Sequence, residues 1–205
     1  MNAHTQRQTI AGPSGAIECA VDAPTGGPRG LAVVCHPHPQ HGGTMDNKVV
    51  QTLARAFVQW GCTAVRFNFR GVGASQGAWA EGPGEIEDAL AVVAEFRAAD
   101  QPLVLAGFSF GAYVASNVAA RLAADGAAVE RLVLIAPAAS RFDMARVPPD
   151  TLVIHGERDD VVPLAAVFDW ARPQSLPVTV VPGAGHFFHG QLPLLKSLVV
   201  GAWPR

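Results

Sequence analysis

Ser109 is the residue whose surroundings most directly suggest chemistry. It sits in Gly107-Phe108-Ser109-Phe110-Gly111, between a short aliphatic run, Leu103 to Ala106, and an Ala-rich segment. That segment has helical spacing at Tyr113, Val114, Asn117, Val118, Arg121 and Leu122. A G-x-S-x-G sequence at a strand-to-helix junction describes a tight turn that lifts a serine hydroxyl above the end of a strand. The flanking glycines remove Cβ atoms that would collide as strand and helix close on one another. The first turn of the helix also offers unpaired N–H groups where an oxyanion would form. Serine is equally a good helix N-cap, so the motif alone leaves a structural role open.

A serine hydroxyl becomes a nucleophile only with a base in hydrogen-bond reach, and that base needs a carboxylate to fix its tautomer. Candidates for both follow along the chain. Asp159 lies in His155-Gly-Glu-Arg-Asp-Asp-Val-Val-Pro163, and His186 follows Gly183-Ala-Gly185, whose glycines can let the backbone turn an imidazole inward. A further polar cluster is His36-Pro-His-Pro-Gln-His-Gly-Gly-Thr44. Its histidines, His36, His38 and His41, repeat the H-x-H-x-x-H spacing of metallo-β-lactamase-like hydrolases, so metal-dependent hydrolysis is the competing chemistry. Gln40 stands where that pattern needs an aspartate, which leaves the ligand set incomplete.

The elements that must position these groups show in the hydrophobic pattern. Thr5 to Ala11 and Ala16 to Ala23 flank the turn cluster Gly12-Pro-Ser-Gly15 and predict an antiparallel hairpin at a sheet edge. Apolar runs at Leu31–Cys35, Cys62–Phe69, Leu103–Ala106, Arg131–Ala136, Thr151–His155 and Val178–Val181 predict strands, most of them buried on both faces. Helical spacing intervenes at Val49 to Val58, capped by Asp46 or Asn47, at Ile86 to Phe96, at Val161 to Trp170, and at the C-terminus. The alternation predicts an α/β fold: a mainly parallel twisted sheet with antiparallel N-terminal edge strands and helices on both faces, as a single domain over residues 1–205. Reactive groups in such sheets collect at the carboxyl ends of the strands. Ser109, Asp159, His186 and the His36 loop all fall there.

Taken together, His36-Pro-His-Pro with Gly42-Gly-Thr-Met-Asp-Asn-Lys48, Phe67-Asn-Phe-Arg-Gly-Val-Gly73, Gly107-Phe-Ser-Phe-Gly111, His155-Gly-Glu-Arg-Asp159 and Gly185-His186 resemble the α/β-hydrolase superfamily over nearly the full chain. More narrowly, the chain is similar to small cap-less bacterial serine hydrolases of the esterase kind. The resemblance implies Ser109 as nucleophile, His186 as general base and then acid, and Asp159 as the orienting carboxylate. Asp160 and Asp143 are the rival acids and His189 the rival base, while His155, ending a strand, reads as a hydrogen-bonded core histidine. An oxyanion hole is implied between the N–H of Phe110 and one from the loop after the first long strand. His38 is nominated there, because Pro37 and Pro39 carry no N–H.

The implied reaction is cleavage of carboxylic esters, with thioesters open, through an acyl-enzyme on Ser109 and without a cofactor. A hydrolase fold kept only for binding is a third reading. Only 14 residues, Pro137 to Asp150, separate two strands between which relatives insert a lid, which predicts no cap and an open site with Phe142 or Met144 at its rim. Phe187 and Phe188 are candidates for an acyl pocket or for plain core. Arg70 either holds a turn or contacts substrate.

The partner that the resemblance implies is a small-molecule ester. The chain of 205 residues is 49% hydrophobic and 16% charged, with formal net charge −2 and scattered basic residues, which argues against nucleic acid or an anionic membrane. Cys19, Cys35 and Cys62 lie in strand-like runs and predict buried free thiols in a reducing compartment. The first eight residues hold no apolar signal core, so a cytoplasmic location is the expectation.

Overall fold

The computed structural model describes residues 5–127 and 129–202. β1 (Gln6–Gly12) and β2 (Gly15–Asp22) form the expected edge hairpin, with Ile10 opposite Ile17. β2 then runs antiparallel to β4 (Cys62–Phe67). From there every pairing is parallel, through β3 (Gly30–Cys35), β5 (Leu103–Phe108), β6 (Arg131–Ile135), β7 (Leu152–Gly156) and β8 (Val178–Val181). The eight strands form one sheet in the order β1-β2-β4-β3-β5-β6-β7-β8.

Period-two alternation along the central strands builds two apolar layers. Leu31, Val33, Leu105 and Leu134 face one side, where α2 (Pro83–Phe96), α3 (Phe110–Ala124) and α4 (Leu164–Ala171) bring Ile86, Val114, Val118 and Val167. Ala32, Val34, Ala106 and Val133 face the other, against Val50, Leu53 and Phe57 of α1 (Lys48–Trp60) and Leu195 and Val199 of α5 (Leu192–Gly201). Each fully buried aliphatic side chain contributes roughly 1.5–3 kcal/mol, so the two layers clamp the hydrogen-bonded sheet between the helices. Cys19, Cys35 and Cys62 are free and buried. Among the described residues no helix is long and apolar enough to cross a membrane.

Of the two cap candidates, Asn47 caps α1, its side-chain oxygen accepting the N–H groups of Val49 and Val50. The boundaries of β4 and α4 depart from the sequence-based expectation, each for a local reason. β4 stops at Phe67 rather than Phe69, because the Phe69 N–H turns to the ring of His36. α4 begins at Leu164 rather than Val161, since the N–H groups of Val161 and Val162 are drawn to the Asp159 carboxylate and Pro163 follows. The connection 137–150 contains neither helix nor strand, so no cap covers this end of the sheet.

Candidate active site

β5 delivers Ser109 into a strained turn. Its backbone lies at φ 56°, ψ −117°, a conformation few side chains adopt, and its N–H is pinned to the Ile135 carbonyl at 2.9 Å. The serine stands at the N-cap position of α3, yet its side chain makes no capping hydrogen bond, so the hydroxyl is left for other work. Both flanking glycines are demanded by backbone approach. A Cβ on Gly107 would lie 2.0 Å from the Gly111 carbonyl oxygen, and one on Gly111 would lie 2.2 Å from that of Cys35. The second contact is with the end of β3, so the turn is wedged between α3 and the neighbouring strand.

The structure brings Ser109, His186 and Asp159 together. Ser109 Oγ is 3.1 Å from His186 Nε2, and His186 Nδ1 is 2.7 Å from Asp159 Oδ2. The Asp159 oxygen turned away from the ring, Oδ1, accepts the N–H groups of Val161 at 2.9 Å and Val162 at 2.7 Å. Burial pushes the Asp159 carboxyl up in pKa, but the His186 hydrogen bond, the Val162 N–H and the neighbouring histidines outweigh it and hold the group below the usual carboxylate range. It is therefore ionised at neutral pH. His155 packs beside the same oxygen that meets His186, its Nε2 near the Val162 carbonyl at 3.0 Å and 3.5 Å from Asp159 Oδ2. Burial holds that imidazole low in pKa and so neutral, which makes it the core histidine expected.

The rivals lie elsewhere. Asp143 and Asp160 are exposed, and the Asp159 side chain alone meets His186. His189 is exposed, in the loop before α5, which starts at Leu192. Arg70 clamps Asp88 with Nε at 3.0 Å and Nη2 at 2.7 Å, a turn-holding role. Met144 is buried in the apolar layer rather than standing at the rim. Phe188 is likewise fully buried, whereas Phe187 is 43% exposed and forms cleft wall.

The histidine loop is split in function. His36 is fully buried, with Nδ1 2.6 Å from the Pro37 carbonyl oxygen and Nε2 accepting the Phe69 N–H at 3.0 Å. Burial pushes its pKa down to about 3, against the upward pull of the Pro37 carbonyl. With both ring nitrogens committed, His36 cannot join His38 and His41 in a ligand set without breaking two buried hydrogen bonds. No group of three metal-ligating side chains occurs among the described residues. The His38 ring stacks instead among His41, Trp79 and Phe110, with centroids 4.6, 4.5 and 5.2 Å away.

Ser109 and His186 open into a cleft of about 360 Å³. Pro37, His38, Phe110, Phe142, Val161 and Phe187 line it, so the two nominated oxyanion donors, Phe110 and His38, lie on the same cleft as the serine. Phe110 is the first residue of α3, where N–H groups have no intrahelical acceptor. Arg141 and Trp79 went unseen in the sequence. Arg141 lies on the cleft lining directly before the rim residue Phe142, the only local signal; Trp79, in a coil segment, carries none.

Comparison with known proteins places this geometry among relatives. The family described as Alpha/beta hydrolase domain matches residues 32–192. A serine hydrolase without lid from Xanthomonas campestris is 40% identical, the match covering 98% of this chain and 94% of that one, with TM-score 0.87. A serine hydrolase homologue from Coxiella burnetii is 41% identical over 97% of each chain, with TM-score 0.85. An uncharacterised protein of Rickettsia prowazekii is 32% identical over 86% of this chain and 79% of its own length.

Proposed function

Given that the chain belongs to the α/β-hydrolase family, we propose that it is a serine hydrolase that cleaves carboxylic esters of small molecules through an acyl-enzyme on Ser109. The observation that carries this reading is the unbroken chain of hydrogen bonds from Ser109 Oγ through His186 to Asp159. In the acylation step His186 Nε2 takes the serine proton as Oγ attacks the ester carbonyl. Asp159, ionised, holds Nδ1 protonated and stabilises the imidazolium that forms. The developing oxyanion is met by the N–H groups of Phe110 and His38, each worth on the order of 100-fold to 1,000-fold in rate. The imidazolium then protonates the departing alcohol, and a water deprotonated by His186 releases the acid.

A fluorophosphonate probe tests the reading directly. It should attach covalently to Ser109 and to no residue of a Ser109→Ala variant, and p-nitrophenyl butyrate turnover should vanish with that substitution while EDTA leaves it unchanged. Turnover that survives Ser109→Ala, or that EDTA abolishes, rules the proposal out.

A further inference from the structure

The cleft holds one permanent charge that the reaction itself does not use. Arg141 lies on its lining, and no Asp or Glu does. The other titratable groups there are His38, His41 and His186. Arg141 makes no ion pair among the described residues, whereas Arg66 and Arg70 are each seated on carboxylates. Its backbone is nonetheless fixed. The N–H groups of Arg141 and Phe142 both donate to the Ala138 carbonyl, at 3.0 and 3.1 Å, closing the turn after β6. Phe142 nails that turn down against Phe110 and Tyr113, with ring centroids 5.0 Å away in each case. The guanidinium thus sits on a braced turn beside apolar walls, and its field reaches inward. After burial and His41, Arg141 is the next influence lowering the proton affinity of His38.

A free guanidinium beside an apolar trough complements a ligand with an apolar body and a terminal oxyanion, which its planar fork can grip with two parallel hydrogen bonds. We infer that Arg141 forms an anion-binding subsite of this cleft, and that the esters it serves carry a second group, carboxylate or phosphate, at the end remote from the scissile bond. The inference rests on the esterase reading above and narrows its substrate class. Arg141 is then a specificity-determining residue that grips the substrate away from the reacting atoms.

Matched substrate pairs decide it. p-Nitrophenyl hemisuccinate is compared with p-nitrophenyl butyrate for charge on the acyl side. Phenyl butyrates bearing a 4-carboxylate or a 4-phosphate are compared with phenyl butyrate for charge on the alcohol side, and separate the two oxyanions. The readout is the ratio of kcat/KM, charged over neutral, which cancels any loss common to both. In Arg141→Gln at least one ratio should fall by about 10-fold, with Arg141→Glu lower still and Arg141→Lys between them and the native enzyme. Added salt should erode the same ratio, since the group is solvent-exposed. Ratios that all stay within about two-fold of native in Arg141→Gln overturn the subsite. Fluorophosphonate labelling of Ser109 is run alongside. Labelled enzyme that hydrolyses the neutral esters with unmoved ratios loses only the subsite, whereas enzyme neither labelled nor active loses the esterase reading and the subsite with it.

Discussion

The buried ring of His36 accepts the Phe69 N–H at 3.0 Å and, through its other nitrogen, holds the Pro37 carbonyl at 2.6 Å. One side chain therefore ties the loop after β3 to the loop after β4. The Pro37 carbonyl belongs to the same planar peptide as the His38 N–H, so holding one end sets the direction of the other. His36→Phe keeps an aromatic of similar bulk but loses both bonds. It should lower kcat by about 10-fold to 100-fold with KM nearly unchanged, since only transition-state binding is affected. Steady-state kinetics on p-nitrophenyl butyrate checks this, and a rise in KM at constant kcat would contradict it.

The same imidazole makes the fold acid-sensitive. Its pKa, about 3 in the folded chain, lies below the ordinary histidine value of 6.5. Between those two values the unfolded chain binds the extra proton and the native one does not, so stability falls as pH drops through that window. The loss attributable to His36 is on the order of 4 kcal/mol by pH 3. His155, also held low by burial, adds to it in the same direction. Urea denaturation across pH 7 to 4 should show the decline, and His36→Phe should flatten part of it.

Asp159→Asn tests the carboxylate. The amide oxygen can still accept the Val161 and Val162 N–H groups that Oδ1 now holds, so the loop should keep its shape. The amide nitrogen then faces His186 Nδ1 as a donor, which forces the proton to Nε2 and removes the acceptor for Ser109. A fall in kcat of about 100-fold to 10,000-fold with a little-changed melting temperature is expected. A variant as active as the native enzyme would assign the acid elsewhere.

Gly111→Ala should be far more damaging than Gly190→Ala. The first would place a methyl 2.2 Å from the Cys35 carbonyl oxygen, against backbone that cannot swing aside. The second meets nothing within 4 Å and carries only the strain of φ 74°. About 1 kcal/mol is expected at Gly190, and more than about 3 kcal/mol, or failure to fold, at Gly111. Thermal denaturation of the two variants ranks them.

What could be read from the sequence was whatever repeats locally. The strands announce themselves as aliphatic runs, and Ser109, Asp159 and His186 as polar residues beside glycines at the ends of such runs. Partners distant in the chain were invisible. The choice between turn-holder and substrate contact for Arg70 depends on Asp88, and the role of His36 depends on an N–H at Phe69. Phe187 and Phe188 are identical neighbours with opposite fates, because a backbone at φ 52° at Phe188 turns one ring into the core and the other into the cleft. Composition cannot see that rotation.

The segment 137–150 crosses the rim as irregular chain, held by Phe142 rather than hinged. On the proposed esterase reading, admission of substrate then waits on no lid built from this segment, and the entrance is as wide in dilute solution as beside an oil droplet. Velocity should level off once a sparingly soluble ester passes its saturation point, because the dissolved concentration no longer rises, without the jump that emulsions provoke in hydrolases with a mobile cover.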